Sequence, residues 1–421
     1  MKVNHDQLKL LQKYLSVLSE DGIDIADEGD YFGETEYEDL PDVIEIDEIR
    51  LCFPDDQDIF SIDPEKFVYY VEEIDTLRRE NRIIVRTDHI VQVMISSDRV
   101  GFTKFEDILV SFKFRGVSVH AKVVKQPFLI GVMNARDGYY DEDLGLGPCG
   151  PYMAIEIRLD SGAQEANINE LIERICFFLT DKTGVAVYPW EGPDFEEMYE
   201  VMNEYDGEED GDEGVDGVEC EEIELSSLPH YTPLLKMYRQ AKEVIDPEIQ
   251  FLHFYKMIEF VSPSVAKSVA YEHLNKRLDM LPKVKRDCKY LDSILAVARK
   301  YDKDLRDDSL ALATIENCVD VVPLFGMLPV RMLKKVKSTL QFQKDVLTDS
   351  DINDGQLIAL QKQIASILYA TRNSIVHAKS NYMHTGYELT LEELDDANKM
   401  MEVIAQSIIN WNERQPDGFR V

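Results

Sequence analysis

Cysteine is scarce in this chain: six residues in 421, at positions 52, 149, 176, 220, 288 and 318. No two of them form a Cys-x-x-Cys pair, and no pair of histidines at ligand spacing lies near them. A structural zinc site needs four such ligands, and disulfide frameworks belong to small secreted domains with regularly spaced cysteines. The sequence therefore predicts no metal site, no cofactor and no disulfide, with the thiols reduced in a cytoplasmic compartment.

Long apolar runs are missing as well. A transmembrane helix needs about 20 apolar residues, and the most apolar stretch, residues 168–188, is interrupted by five charged residues: Glu170, Glu173, Arg174, Asp181 and Lys182. Residues 2–19 have the spacing of an amphipathic helix rather than the basic start and apolar centre of a secretory leader. We expect a cytoplasmic protein without a membrane segment.

Basic residues are sparse in the first half of the chain. Residues 1–228 contain 19 Lys+Arg against 55 Asp+Glu, whereas residues 229–421 contain 26 of each, so the whole net charge of −36 lies in the first part. That part repels nucleic acid, and the neutral part tolerates it. A solvated acidic surface that keeps the protein in solution accounts for the same charge, and the sequence leaves both interpretations open.

The first half has the patterns of strands and a few helices. Apolar and polar residues alternate in several segments, which is typical of half-buried strands. The predicted strands are 43–53, 82–86, 90–96, 108–115, 117–125, 128–133 and 152–159, and the predicted helices are 1–20, 64–79 and 169–180. This pattern indicates an α+β domain built around a mostly antiparallel sheet.

An acidic, glycine-rich segment divides the chain. Residues 206–224 contain eleven acidic residues, four glycines and no basic residue, and such a segment repels itself and buries too little apolar surface to fold. It is predicted to be a linker, although a tethered acidic strand lying across a basic groove is an alternative. The predicted organisation is 1–42 (helix and acidic loop), 43–204 (α+β regulatory or sensor domain), 205–228 (linker) and 229–421 (helical domain).

After residue 229 the strand patterns end. Three/four periodicity predicts helices at 231–245, 247–261, 264–280, 286–301, 307–319, 329–342, 354–379 and 390–411. Most begin or end at Pro, Asp, Ser or Thr, which are typical helix caps. We expect an all-helical bundle of about six to eight helices.

A cluster of chemically useful residues lies late in this half. Residues 370–380 have the sequence ATRNSIVHAKS, so Arg372, Asn373 and His377 fall within two turns of a predicted helix. A second Arg and His at the same spacing, Arg115 and His120, lie in a run predicted to be a strand or a hairpin with a turn or bulge at Gly116. If that run stays extended, an offset of five places the two side chains on opposite faces. The helical set is therefore the better candidate for a site.

The segment 372–377 resembles the motif of HEPN domains, an arginine, a polar residue beside it and a histidine after four to six positions. Upstream, residues 246–260, with the sequence DPEIQFLHFYKMIEF, are similar to the early helix of the abortive-infection (Apea-like) branch of that family. The two matches occur in the expected order. The resemblance covers about residues 229–421 and implies a HEPN-like helical bundle.

The resemblance also implies a function. Active HEPN domains are metal-independent endoribonucleases that cut tRNA or messenger RNA, usually as homodimers, and leave 2′,3′-cyclic phosphate and 5′-hydroxyl ends. One branch carries a tyrosine two positions after the histidine that an antitoxin modifies. Lys379 occupies that position here and the nearest tyrosine is Tyr382, so no antitoxin is implied.

The residue chemistry agrees with that function. Attack of a 2′-hydroxyl on the adjacent phosphate needs a proton carrier, which His377 offers, and a cation for the phosphoryl oxygens, which Arg372 offers. Asn373 is a third catalytic candidate. The supporting candidates are Glu259, which could hold the imidazole or pair with Arg372, and Lys379; the candidate substrate contacts are Lys379 and Tyr382.

Two functions from different classes are therefore predicted. The first is a toxin-type or antiphage ribonuclease whose acidic half senses a trigger, such as a phage or host protein, or restrains cleavage. The second is a non-catalytic interaction protein whose helical half dimerises and whose acidic half binds a basic partner. Loss of RNA cleavage on mutation of His377 distinguishes them.

Overall fold

The computed structural model divides the chain into two compact units, Met1–Leu228 and Pro229–Val421, called here the sheet unit and the helical unit. It describes residues 1–26, 44–54, 59–96, 108–114, 117–140, 147–149, 153–159, 167–190, 221–225, 232–279, 292, 295–296, 307–377 and 385–421. Within these ranges, no helix combines the length and apolar character that crossing a bilayer requires.

The sheet unit is α+β, as predicted. Its strands are β1 (Lys2–Val3), β2 (Asp24–Ile25), β3 (Ile44–Glu45), β4 (Ile49–Cys52), β5 (Phe60–Ile62), β6 (Arg78–Arg79), β7 (Ile84–Arg86), β8 (Ile90–Ser96), β9 (Ile108–Phe114), β10 (Val117–Lys125), β11 (Met153–Leu159), β12 (Tyr188–Pro189) and β13 (Glu221–Leu225). Its helices are α1 (His5–Ser19), α2 (Pro64–Val71), α3 (Phe128–Asp137) and α4 (Ile168–Thr183).

The main sheet has eight strands in the order β13-β9-β10-β11-β8-β7-β6, with β12 also paired to β8. All neighbours are antiparallel except β13, which runs parallel to β9. Helix α4 packs on one face of this sheet. Helices α1, α2 and α3 share a second core with β3, β4 and β5 on the other face, so both faces of the sheet are covered.

The predicted strand at 128–133 is wrong, because these residues form the start of helix α3. Seven residues of α3 are buried, and they include consecutive ones, so the segment has no polar face that would reveal a helical period. Gly131 lies so close to Cys149 that a Cβ there would be 2.0 Å from the Cys149 Sγ. The helix ends at Gly138 in the left-handed conformation, with φ of 64°.

Two further boundaries differ from the prediction. The helix expected over 64–79 ends at Val71, and a short 3-10 helix, Ile74–Thr76, then leads into β6. In the predicted linker, Glu221–Leu225 instead forms β13, because Ile223 and Leu225 alternate with acidic residues and pair with Val110 and Phe112 of β9. Residues 206–220 lie outside the described part of the chain.

The helical unit contains only helices in its described residues, as predicted. They are α5 (Pro233–Glu243), α6 (Pro247–Leu278), α7 (Asp307–Cys318), α8 (Val321–Phe325), α9 (Val330–Leu340), α10 (Asp354–Val376) and α11 (Leu391–Glu413). Helix α6 packs against α5, α7 and α11, and α10 packs against α6, α7, α8 and α9. The helix predicted at 286–301 lies outside the described ranges apart from residues 292 and 295–296.

Helix α6 continues through Pro263, where two separate helices were predicted. Proline normally interrupts a helix because it has no N–H for the carbonyl four residues earlier. Packing outweighs that loss here, since Val261, Ser262 and Val265 on both sides of the proline are buried. The Ser262 hydroxyl also donates to the Ile258 carbonyl at 2.5 Å and contacts the Thr314 hydroxyl of α7 at 2.7 Å.

Candidate functional site

The candidate site lies at the C-terminal end of α10, where the buried face of the helix stops. Leu360, Ile364, Ile367 and Leu368 are buried, and Thr371 is the last buried residue of the helix. Val376, five residues further on, is 49% exposed. The last turn of α10 therefore extends beyond the packed core and presents the predicted motif at the surface of the helical unit.

Arg372 is held from two sides. Its Nη1 donates to the Asn373 Oδ1 at 3.1 Å, and its Nη2 lies 3.0 Å from the Glu259 Oε1 on α6. Of the two contacts predicted for Glu259, the structure therefore contains the pairing with Arg372. The ion pair is only partly shielded, because the side chains of Arg372 and Glu259 are 28% and 46% exposed. A guanidinium in this position is fixed in direction and still reachable by an anion.

His377 is the residue at which α10 ends. Its backbone N–H donates to the Asn373 carbonyl at 2.9 Å, which completes the last helical turn. His377 and Asn373 are therefore neighbours one turn apart, as the spacing predicted, and the His377 residue is exposed. Lys379 and Tyr382, the other two predicted site residues, lie outside the described residues, as does Arg115 of the second Arg/His pair.

The chain returns to the motif through residues 385–389. The backbone N–H of Leu389 donates to the Thr371 hydroxyl oxygen at 3.0 Å, and that hydroxyl donates to the Ile367 carbonyl at 2.8 Å. Because Thr371 and Leu389 are both buried, this contact fixes the chain that precedes α11 directly beside Arg372. The segment after the motif thus starts and ends at anchored points, His377 and Thr385.

Glu388 organises the returning segment. Its carboxylate accepts hydrogen bonds from the backbone N–H groups of Thr385 and Gly386, at 2.6 and 2.7 Å, and from the Thr385 hydroxyl at 2.8 Å. Burial acts to raise the pKa of Glu388, but these donors outweigh it and lower the pKa to about 2. The residue is 8% exposed and carries its charge at any ordinary pH.

A row of basic residues on α9 borders this segment. Arg331 donates to the Glu388 carbonyl at 2.6 Å and to both oxygens of the Glu393 carboxylate. Lys335 donates to the Gly386 carbonyl at 2.7 Å and lies 3.4 Å from the centre of the Tyr387 ring. Sequence reasoning missed α9 as part of the site, although its run of four basic residues without an acidic one, RMLKKVK, was a visible signal.

In the part of the chain that the structure describes, no group of three or more His, Cys, Asp or Glu residues is placed to hold a metal ion. No family model, no curated protein sequence and no solved structure matches this chain.

Proposed function

We propose that the helical unit is a metal-independent endoribonuclease of the HEPN type, with Arg372, Asn373 and His377 at its centre. The observation that carries this proposal is the arrangement of Arg372. Its guanidinium is fixed by Asn373 and Glu259 near the exposed end of α10, five residues before the exposed His377. Phosphodiester transfer within RNA needs a directed cation and an accessible imidazole, and this end of α10 carries both.

The proposed reaction uses the RNA's own 2′-hydroxyl. The O2′–P bond forms and the P–O5′ bond breaks, giving a 2′,3′-cyclic phosphate and a 5′-hydroxyl. His377 takes the proton from O2′, and the departing O5′ gains one proton, from the resulting imidazolium or from water, so one proton is lost and one is gained over the reaction. Arg372 binds the non-bridging phosphoryl oxygens, where negative charge accumulates in the transition state.

Asn373 and Glu259 are positioning residues in this scheme, because they act on Arg372 rather than on RNA. The guanidinium has five N–H donors, and the contacts to Asn373 and Glu259 use two of its nitrogens. An incoming phosphate competes with Glu259 for the Nη2 atom. Lys379 and Tyr382 follow the motif in sequence and are proposed as further RNA contacts.

The proposed substrate and the proposed homodimer depend on the residues around the site. The helical unit has no net charge, and α9 adds Arg331, Lys334 and Lys335 beside the segment that leads back to the motif, so a tRNA or messenger RNA can approach it. Val376 and Phe260, sequence neighbours of the site, are 49% and 40% exposed. The HEPN resemblance implies a homodimer through the helical unit, and an interface at the motif would cover these two side chains.

The test is RNA cleavage by purified full-length protein in EDTA, with tRNA and messenger RNA as substrates. We expect His377→Ala to lower the cleavage rate by a factor of about 10²–10⁴. His273→Ala removes an exposed histidine from α6 and should leave the rate unchanged. Equal rates for all three proteins, or no cleavage by any of them, would contradict the proposal and favour a non-catalytic interaction protein.

A further inference from the structure

An aromatic side chain is held close to the proposed ribonuclease site. Tyr387 belongs to the segment that returns to α10, and Leu389, two residues later, donates its backbone N–H to the Thr371 hydroxyl at 3.0 Å. Two residues of extended chain span at most about 7 Å, so the backbone of Tyr387 lies within that distance of the residue anchored beside Arg372. The ring therefore belongs to the surroundings of the proposed phosphate ligand.

The backbone around Tyr387 is fixed on both sides. The carbonyl of the preceding residue, Gly386, accepts from Lys335 at 2.7 Å, and the carbonyl of the following residue, Glu388, accepts from Arg331 at 2.6 Å. Gly386 has φ of 82°, in the left-handed region that glycine adopts without strain. The chain itself thus forms the turn that presents Tyr387, so a ligand there pays little conformational entropy on binding.

A cation covers one face of the Tyr387 ring. The Lys335 ammonium lies 3.4 Å from the ring centre, and the same nitrogen donates to the Gly386 carbonyl. An ammonium over the face of an aromatic ring is attracted by its π electrons, so Lys335 holds the ring in one orientation. Because both contacts engage Lys335, it acts through the ring rather than on a phosphate.

The ring is also accessible. Tyr387 is half-buried, whereas the next two residues, Glu388 and Leu389, are buried. Arg331 and Lys335 already join α9 to this segment through backbone carbonyls, so the exposed part of the ring is not required for that contact. Proteins hold unpaired nucleotides with partly exposed aromatic rings beside basic residues, because every base has a π face that stacks on such a ring.

We propose that Tyr387 is a base-stacking residue, and that the face of its ring opposite Lys335 binds the base of an unpaired nucleotide next to the phosphate held by Arg372. This inference rests on the proposed ribonuclease function and narrows its substrate to RNA that is single-stranded at the cut. A paired base is a poor ligand, because its neighbours in the duplex already cover both of its faces. Stacking discriminates little between bases, so the site selects unpaired RNA rather than a particular sequence.

The test is fluorescence anisotropy of full-length protein with a labelled RNA that is 2′-O-methylated throughout and cannot be cleaved by its own hydroxyls. The RNA is offered as a single strand and annealed to its complement. A site that acts only through charge prefers the duplex, whose phosphates are more closely spaced. We expect the wild type to bind the single strand about fivefold more tightly than the duplex, which is the affinity that stacking of one base supplies.

Three variants assign this preference to the ring. Tyr387→Leu should raise the dissociation constant of the single strand by about fivefold or more and leave that of the duplex unchanged, a pattern that a general loss of structure does not give. Tyr387→Phe keeps the ring and should bind as the wild type does. Tyr271→Leu removes a 54% exposed tyrosine toward the C-terminal end of α6 and should also bind normally. Thermal unfolding verifies that each variant is folded.

Several results would overturn the stacking site. They are equal single-strand affinity in the wild type and Tyr387→Leu, an equal loss in Tyr387→Phe, and wild-type binding that is absent or no tighter for the single strand than for the duplex. The last result needs no variant. Failure of the ribonuclease is seen separately, with the unmethylated RNA in EDTA. Binding that depends on Tyr387 without cleavage would contradict the ribonuclease and keep the stacking site, whereas cleavage with binding that is independent of Tyr387 would do the reverse.

Discussion

Arg372 of α10 and Glu259 of α6 form an ion pair, with the Arg372 Nη2 3.0 Å from the Glu259 Oε1. The pair joins two residues that are more than 100 positions apart in sequence, and it lies near the exposed end of α10. Arg372 belongs to the motif at residues 372–377, and Glu259 belongs to the early-helix segment at residues 246–260. Glu259 also precedes Pro263 by four residues, so its own carbonyl lacks the usual helical donor.

Replacing Glu259 should change RNA binding more than stability. A partly exposed ion pair contributes at most about 1 kcal/mol to the free energy of unfolding, so Glu259→Gln should cost no more than that. The variant removes the group that competes with phosphate for Arg372, and affinity for a non-cleavable 2′-O-methyl RNA should rise a few-fold. Fluorescence anisotropy at about 0.1 M salt measures the dissociation constant of this RNA. Glu316→Gln, at an exposed position on α7, removes the same charge, and an equal rise there would refute a local effect.

Thr371→Val tests the contact that fixes the returning segment. Valine keeps the shape of threonine but leaves the Leu389 N–H without its acceptor in a buried place, which should cost about 1–3 kcal/mol of unfolding free energy. Thr339→Val is the matched control, because the Thr339 hydroxyl also donates four residues back, to the Lys335 carbonyl, but at an exposed position. Its cost should stay below about 0.5 kcal/mol.

Urea unfolding followed by tryptophan fluorescence measures both variants. The chain has two tryptophans, Trp190 and Trp411. In a Trp190→Phe background the signal comes from Trp411, which is buried in the helical unit. Equal costs for Thr371→Val and Thr339→Val would contradict the role assigned to the Thr371 hydroxyl.

Glu388 should make the helical unit less stable in acid. Its pKa is lowered from 4.5 to about 2 in the folded chain, so the stabilisation is complete above pH 4.5 and is lost as the pH falls toward 2. Glu388→Gln should lower the unfolding free energy by about 1–2 kcal/mol at pH 7. Urea unfolding at pH 7, 5 and 3.5 should show that this difference shrinks with acid. If the difference in unfolding free energy between the wild type and Glu388→Gln stays constant or grows with acid, the lowered pKa is refuted. Glu392→Gln, at an exposed position, is the control.

Glu156 should be essential for the stability of the sheet unit. It is fully buried, and Glu156→Gln leaves Lys122 and Arg158 without their shared negative partner. Removing one member of a buried charge group typically costs about 3–5 kcal/mol. Trp190 fluorescence in a Trp411→Phe background measures the loss, and Glu72→Gln, at an exposed position after α2, should cost less than about 0.5 kcal/mol. A similarly small cost for Glu156→Gln would refute the structural role of the charged group formed by Glu156, Lys122 and Arg158.

Regular patterns in the sequence predicted the elements that have one buried face. Four of the five leucines of α1 are buried, namely Leu8, Leu11, Leu15 and Leu18, and β8 and β10 occupy the predicted residues. Helix α3 and the uninterrupted α6 could not be predicted in the same way. Their conformations are decided by packing on several sides, which local periodicity and the presence of Pro263 do not reveal.

Side-chain partnerships were harder to predict than elements. The sequence did not reveal that Glu156 of β11 is buried, where the Tyr70 hydroxyl of α2 donates to its carboxylate. Lys66 of α2 and Lys122 of β10 line the same cavity, although they are more than 50 positions apart in sequence. For the candidate site, the positions of Arg372, Asn373 and His377 were visible in sequence, but the anchoring of Leu389 on Thr371 was not.

We propose that the helical unit cleaves RNA through the 2′-hydroxyl, with Arg372 binding the phosphate. The chemistry of the product ends in EDTA tests this, using an RNA cleaved by the wild-type protein and the same RNA with a single 2′-deoxy substitution at the cleaved position. We expect 2′,3′-cyclic phosphate and 5′-hydroxyl ends and no cleavage at the deoxy position. We also expect a loss of about 10²-fold or more in rate for Arg372→Lys, which keeps the charge but loses the fork. Cleavage at the deoxy position, or 5′-phosphate ends, would rule out attack by the 2′-hydroxyl.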